Sequence, residues 1–213
     1  LVGVFLGLIV GAVTWAISEV LPSLAVGPFA IGLAILMSGA HHLDGLLDFG
    51  DALMVHGSPT KKLEVMHDKS LGAGGFALGL FVPILAMASL VPLVPDVILQ
   101  AIIASEMCAK LAMVVASRFG KSAHQGTGSI VVSVMHARNG SVRLLIACII
   151  SLTIAFALLN YAGLAMVLSS IVTALVMTVI ADKQFNGMTG DVFGAINEIS
   201  RTTCLLTLLA VIK

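Results

Sequence analysis

Three aspartates, Asp44, Asp48 and Asp51, fall at i, i+4 and i+7 in the stretch His41-His42-Leu43-Asp44-Gly45-Leu46-Leu47-Asp48-Phe49-Gly50-Asp51. On a helix that spacing puts all three carboxylates on one face, with His41 three residues before Asp44 on the same face. No Lys or Arg lies within the stretch. Carboxylates this close repel one another, and at the end of a membrane helix the repulsion is poorly screened. A bound cation relieves it. Hard divalent cations prefer carboxylate oxygens, and Mg²⁺ combines a few of them with phosphate and water. Zinc fits less well: adjacent histidines point to different faces of a helix, and neither an HExxH pattern nor a nearby cysteine is present. A merely solvated helix end would mix charge signs rather than line up carboxylates.

The stretch that follows holds Lys61, Lys62, His67, Asp68, Lys69 and then Gly72-Ala73-Gly74-Gly75. Asp68 is a fourth aspartate, just before the next apolar segment. Basic residues beside a metal–carboxylate cluster suit an anionic phosphate substrate, and the N–H groups of a Gly-rich helix start can face phosphate. Lys61 and Lys62 serve equally well as topology determinants. Near the C-terminus, Thr189-Gly190-Asp191-Val192-Phe193-Gly194-Ala195-Ile196-Asn197-Glu198 sets Asp191 and Glu198 seven apart, hence on one helical face with Gly194 between them. Thr189 or Asp191 also reads as a helix N-cap. Glu106 and Lys110, at i and i+4 within an apolar segment, predict either an ion pair with each other or a polar contact facing a cavity.

The elements that must position these groups are membrane helices. Apolar residues make up 59% of the 213 residues and charged ones 10%, with a mean hydropathy of +1.11. A soluble domain of this size has too much surface to cover with so few charges. Apolar runs at 1–17, 24–40, 71–94, 97–117, 142–160, 164–181 and 202–212 approach or meet the span of a bilayer core. Period-2 alternation is absent, so helices are the remaining solution in lipid. The expected fold is an all-α polytopic bundle of about six to seven membrane helices, in one integral catalytic domain over residues 1–213. The aspartate stretch reads as a direct continuation of the second run. Connections at 18–23, 95–96 and 161–162 are short and carry no Lys or Arg; those at 51–70, 118–141 and 182–201 hold nearly all the basic residues. The positive-inside rule therefore puts the long connections, and both acidic stripes with them, on the cytoplasmic face. Gly3, Gly7 and Gly11, like Gly75 and Gly79, read as close helix-packing positions. Cys108, Cys148 and Cys204 lie apart in apolar segments as small buried hydrophobes. No basic run suggests nucleic acid, and no cleavable signal peptide is expected.

His42-Leu43-Asp44-Gly45-Leu46-Leu47-Asp48-Phe49-Gly50-Asp51, then Met66-His67-Asp68 with Gly72, and finally Thr189-Gly190-Asp191 through Gly194-Ala195 to Glu198 resemble, in order and membrane placement, the motifs of the cobalamin synthase family. Ala52 and His67 depart from it: the family often has Gly and a basic residue there. The resemblance implies a cell-membrane enzyme, Mg²⁺ as cofactor, and transfer of α-ribazole, or its 5′-phosphate, onto adenosylcobinamide-GDP, with release of GMP. On that reading Asp44, Asp48, Asp51 and Asp68 hold metal on the diphosphate, and Asp68 or Asp51 accepts the hydroxyl proton. His41, His42, Lys61, Lys62, Lys69, Asp191 and Glu198 contact substrate. The other readings are a CDP-alcohol phosphotransferase, whose Ala-Arg after the second Asp-Gly is missing here, and a cation or proton transporter, whose acids usually lie near the bilayer midplane.

Overall fold

The computed structural model describes residues 1–212, and among these there is no strand. Nine helices follow in order: α1 (Val2–Ser18), α2 (Ser23–Met37), α3 (His41–Met54), α4 (Pro59–Met66), α5 (Ala73–Leu90), α6 (Ile98–Phe119), α7 (Thr127–His136), α8 (Gly140–Phe185) and α9 (Gly190–Ile212). The seven apolar runs appear as α1, α2, α5, α6, the two limbs of α8, and α9. Four helices, α5 with its short extension, α6, α8 and α9, are long and apolar enough to cross a membrane, and five if α2 and α3 count as one bent span. Within α8 the chain leaves helical geometry at Leu159 and Asn160. It doubles back so sharply that Gly163 meets the Ala155 carbonyl, which is the short reversal expected at 161–162.

The centre of the bundle is α6, enclosed by α1, α8 and α9. The glycine series of α1 lies against it: a Cβ on Gly7 would stand 2.7 Å from the Ile103 Cα. At the periphery α8 turns Leu145, Ile149, Phe156, Leu168 and Val172 outward, the side chains a lipid-facing helix carries.

Three sequence expectations change. The aspartate helix does not continue α2. Gly39 and Ala40 take left-handed backbone angles, and α3 leaves α2 at 95°, so it lies across the bundle end, outside the four spans. The connection at 182–201 shrinks to Asn186–Thr189, because α9 already starts at Gly190. Arg201, read as a surface topology charge, is fully buried.

Glu106 and Lys110 do not pair with each other. Arg201 Nε lies 2.6 Å from Glu106 Oε1, and Arg201 Nη1 lies 2.5 Å from Glu198 Oε2. Lys110 Nζ donates to Asn197 Oδ1 at 2.5 Å, and Asn197 Nδ2 donates to Glu198 Oε1 at 3.0 Å. Two acids and two bases neutralise one another between α6 and α9, which is how charge persists inside a membrane bundle. Removing one partner strands the others. Arg201→Met is expected to cost about 3–5 kcal/mol of stability, read as a lower unfolding midpoint of the detergent-solubilised protein. Adding Glu106→Gln and Glu198→Gln should recover most of the loss; a triple variant no more stable than Arg201→Met alone would contradict the network.

Candidate active site

The carboxylates meet where α3 crosses α9. A Cβ on Gly45 would stand 2.8 Å from the Asp191 carbonyl oxygen, and one on Gly194 would stand 3.0 Å from the His42 carbonyl oxygen. Both helices therefore approach at the contact limit of their main chains, as small residues permit between membrane helices. A second close crossing holds α3 to α5, where a Cβ on Gly50 would lie 2.7 Å from the Gly74 carbonyl oxygen. These contacts bring the neighbour of Gly45, Asp44, and the residue one turn on, Asp48, beside Asp191. The α4–α5 connection closes the remaining side.

The result is a cavity of about 390 Å³ lined by Asp44, Leu47, Asp48, Met66, His67, Asp68, Lys69, Ser70, Leu71 and Asp191. Four carboxylates from three chain segments face it, with Lys69 among them. Thr189 takes the capping role at α9, accepting from the Val192 N–H at 3.1 Å, and leaves Asp191 to the cavity. Burial first, and then the charges of Asp44, Asp191 and Asp51, push Asp48 up from the ordinary carboxylate range to about 6. In the loop, Asp68 is held below that range by the Ser70 N–H, which donates to its Oδ1 at 2.9 Å.

Other candidates from the sequence lie elsewhere. Asp51 is engaged by the main chain: Gly72 N donates to its Oδ2 at 2.8 Å and Gly75 N to its Oδ1 at 2.7 Å, so it caps the start of α5. Lys62 is buried, with its Nζ donating to the Leu53 carbonyl at 3.1 Å at the end of α3. Lys61 is exposed on α4, its stem against Gly57. His41 and His42 line a separate, mostly apolar cavity of about 410 Å³ with Val2, Phe5 and Lys110. Burial, then Lys110, Arg201 and His41, lower His42 to about 3, which keeps its ring neutral. Glu198 belongs to the buried network, one helical face below Asp191 but sequestered by Arg201. Sequence reasoning missed His124. Its ring meets that of His67 edge-on, centroids 5.4 Å apart, and both imidazoles stand within electrostatic reach of Asp191. Its only signal was a histidine beside Gly126 on a same-side connection.

Among the described residues no three His, Cys, Asp or Glu side chains converge closely enough to hold an ion by themselves. Mg²⁺ is usually bound by one or two carboxylates together with phosphate oxygens and water, so a site for it does not require three such side chains. An all-oxygen donor set beside a lysine, with Asp48 raised by burial and then by its neighbours' charge, fits such an ion.

Above pH about 6 the ionised Asp48 costs the folded state free energy in full; the cost shrinks as pH falls from about 6 towards the ordinary value of 3.8 and is gone below that. Asp48→Asn is therefore expected to raise the thermal midpoint of the protein at pH 8 without divalent cation, with the gain shrinking as pH falls from about 6 and vanishing below 3.8. A lower midpoint at pH 8 would contradict the reading.

Comparison with known proteins agrees over nearly the full length. A family model described as cobalamin-5-phosphate synthase matches residues 1–209. An adenosylcobinamide-GDP ribazoletransferase of Methanocella arvoryzae is 34% identical over 222 residues, covering 96% of this chain and 81% of the relative. Another from Methanococcoides burtonii is 32% identical over 216 residues, at 97% and 78% coverage. A third, from Thermoanaerobacter pseudethanolicus, is 27% identical over 212 residues, at 99% and 84%. No solved structure matches the chain.

Proposed function

Because the chain belongs to the cobalamin-5-phosphate synthase family, we infer that it is an adenosylcobinamide-GDP ribazoletransferase, a membrane enzyme of cobalamin biosynthesis. It joins α-ribazole, or its 5′-phosphate, to adenosylcobinamide-GDP and releases GMP. The observation that carries this reading at the level of the site is the convergence of Asp44, Asp48, Asp68 and Asp191, with Lys69, on one cavity. Four acids with one base make a poor anion site by themselves and a good one once a divalent cation joins them.

Asp44 and Asp48, one turn apart on α3, are the residues that would hold Mg²⁺, with phosphate oxygens and water completing its ligands. The ion, when bound, supplies neutralisation of the diphosphate charge as GMP departs. Lys69 contacts a phosphate oxygen as a mobile point charge. Asp191, fixed on α9 by the Gly45–Gly194 crossing, orients the ribose hydroxyls of the incoming ribazole. Leu47, Met66 and Leu71 supply apolar wall, which lowers the local dielectric and strengthens each of these charge contacts. Phosphoryl transfer asks little more of a protein than positioning and charge stabilisation.

The cavity opens on the cytoplasmic face of the cell membrane in this reading. The support is the set of basic residues on the helix ends and connections on this side, Lys61, Lys69, Arg118, Lys121, Arg138 and Lys183, with none on the short connections at the other end. The whole chain acts as one catalytic domain. A transporter reading loses its main support, because the deep acids Glu106 and Glu198 are neutralised by Arg201.

The direct assay is GMP release from adenosylcobinamide-GDP on addition of α-ribazole, to protein in detergent or nanodiscs. Release is expected with Mg²⁺ and is expected to stop with EDTA. Asp48→Asn should lower kcat by roughly 100-fold or more, the scale of losing a charge contact made to the transition state. Full activity in EDTA, or in Asp48→Asn, would overturn the metal assignment; no GMP release under any condition would overturn the reaction.

A further inference from the structure

We propose that α7 lies in the plane of the membrane surface, with Ile130, Val131 and Val134 sunk into the lipid and the neighbouring arginines Arg118, Arg138 and Arg143 set against anionic headgroups. The partner is a lipid surface, and the proposal stands apart from the transferase chemistry.

The first argument is the pattern on the helix. Gly128, Val132 and Met135 of α7 are buried against the bundle. The rest of its surface divides in two. At about 100° per residue, Ile130, Val131 and Val134 fall in one stripe, and Ser129, Ser133 and His136 fall in another. All three residues of the apolar stripe are exposed, Ile130 by 65%. A helix wholly in water has no use for the first stripe, and one wholly in lipid has none for the second. A helix at the boundary uses both, with its apolar side below the headgroups.

The second is place. α7 joins the end of α6 to the start of α8, and both of those helices are long and apolar enough to span a bilayer. Arg143 Nη1 donates to the Val134 carbonyl at 2.9 Å, which holds the C-terminal turn of α7 beside the first turn of α8. From that turn onward α8 exposes Val142, Leu145 and Ile146. Phe119, the last residue of α6, is exposed as well. The apolar stripe of α7 therefore sits among the ends of lipid-facing surfaces.

The third is charge. Arg118, Lys121, Arg138 and Arg143 lie within 118–143, and no Asp or Glu occurs between Glu106 and Asp182. Lys121 is held by Asp182 at 2.7 Å. Among the described residues the three arginines take part in no ion pair; Arg118 reaches only the Ser141 hydroxyl, at 3.2 Å. Unpaired cations flanking an apolar stripe match a layer of anionic headgroups over acyl chains.

The buried side of α7 connects this surface to the aspartate cavity. A Cβ on Gly128 would stand 2.7 Å from the Thr189 carbonyl carbon. The helix thus packs main chain to main chain on the turn that leads into Asp191, and a lipid-seated α7 fixes the height of that turn relative to the membrane surface.

Tryptophan placed on each exposed stripe tests this. Trp15 is the chain's one tryptophan, so Trp15→Phe clears the background for Ile130→Trp and, separately, Ser133→Trp. Each variant is placed in nanodiscs of phosphatidylcholine and phosphatidylglycerol, with one or the other lipid brominated on its upper acyl carbons. Ile130→Trp is expected to lose about half its emission to brominated lipid and to resist iodide, and Ser133→Trp to behave in the opposite way. At equal mole fraction, brominated phosphatidylglycerol should quench Ile130→Trp more than brominated phosphatidylcholine does, and Arg138→Gln should reduce that preference. Free access of iodide to Ile130→Trp would overturn the proposal. So would protection from iodide without quenching by bromine, which would mean that another protein surface covers the stripe, or quenching by adenosylcobinamide-GDP and not by bromine, which would mean that substrate does. Equal quenching by the two brominated lipids would overturn the headgroup assignment. If Ile130→Trp failed to fold, Val134→Trp on the same stripe would decide by the same criteria.

Discussion

Gly45 and Gly194 let α3 and α9 meet main chain to main chain, and the site exists because of that contact. The two aspartates of α3 and the aspartate of α9 are far apart in sequence, and their helices run in different directions. A side chain at either glycine would force the helices apart by the width of a methyl group or more. The separation would move Asp191 away from Asp44 and Asp48, and at the distances over which charges act in a partly buried cavity such a shift is costly. The Gly50–Gly74 crossing does the same for α5 and sets the loop bearing Asp68 and Lys69 over the cavity.

Charge is handled in two opposite ways along α9. Deep in the bundle, Arg201 sits between Glu106 and Glu198, and Lys110 is bonded to Asn197, so that the interior carries no net charge. At the end of the same helix, Asp191 faces Asp44, Asp48 and Asp68 with only Lys69 as an immediate cation in the cavity wall. The first arrangement fixes how α9 sits against α6. The second leaves an excess of negative charge, which adds to burial in raising the affinity of Asp48 for a proton and which a divalent cation would absorb. A helix anchored by paired charge and tipped by unpaired charge is a rigid mount for a reactive site.

The membrane class, the helix runs and the acidic stripe of α3 were legible in the sequence because each rests on local composition or spacing. The Asp44 and Asp48 placement and the closeness of Asp191 followed from periodicity and from the side-assignment of connections. What spacing could not show was whatever depends on a partner in another segment. Spacing gave Asp51 the same standing as its neighbours, yet the Gly72 and Gly75 amides engage it. Glu198 matched Asp191 by period, but the depth of α9 delivers it to Arg201. Lys62 looked like a phosphate ligand until the end of α3 supplied a carbonyl for it. The 95° turn at Gly39 and Ala40 was hidden within an unbroken run of apolar and small residues, and His124 came into view only through a loop-to-loop contact.

The most direct test of the account is the distance between the α3 and α9 carboxylates. With Cys108, Cys148 and Cys204 replaced by Ala, cysteines at Asp44 and Asp191 should be joined rapidly by a short bifunctional thiol reagent in membranes, and substrate should slow the reaction. A pair at Asp96, beyond the far end of α5, and Asp191 serves as the contrast. Rapid linkage of the first pair is the expected result. Linkage no faster than for the contrast pair would mean that the two helices do not cross at Gly45 and Gly194, and that the cavity assembled from them does not form.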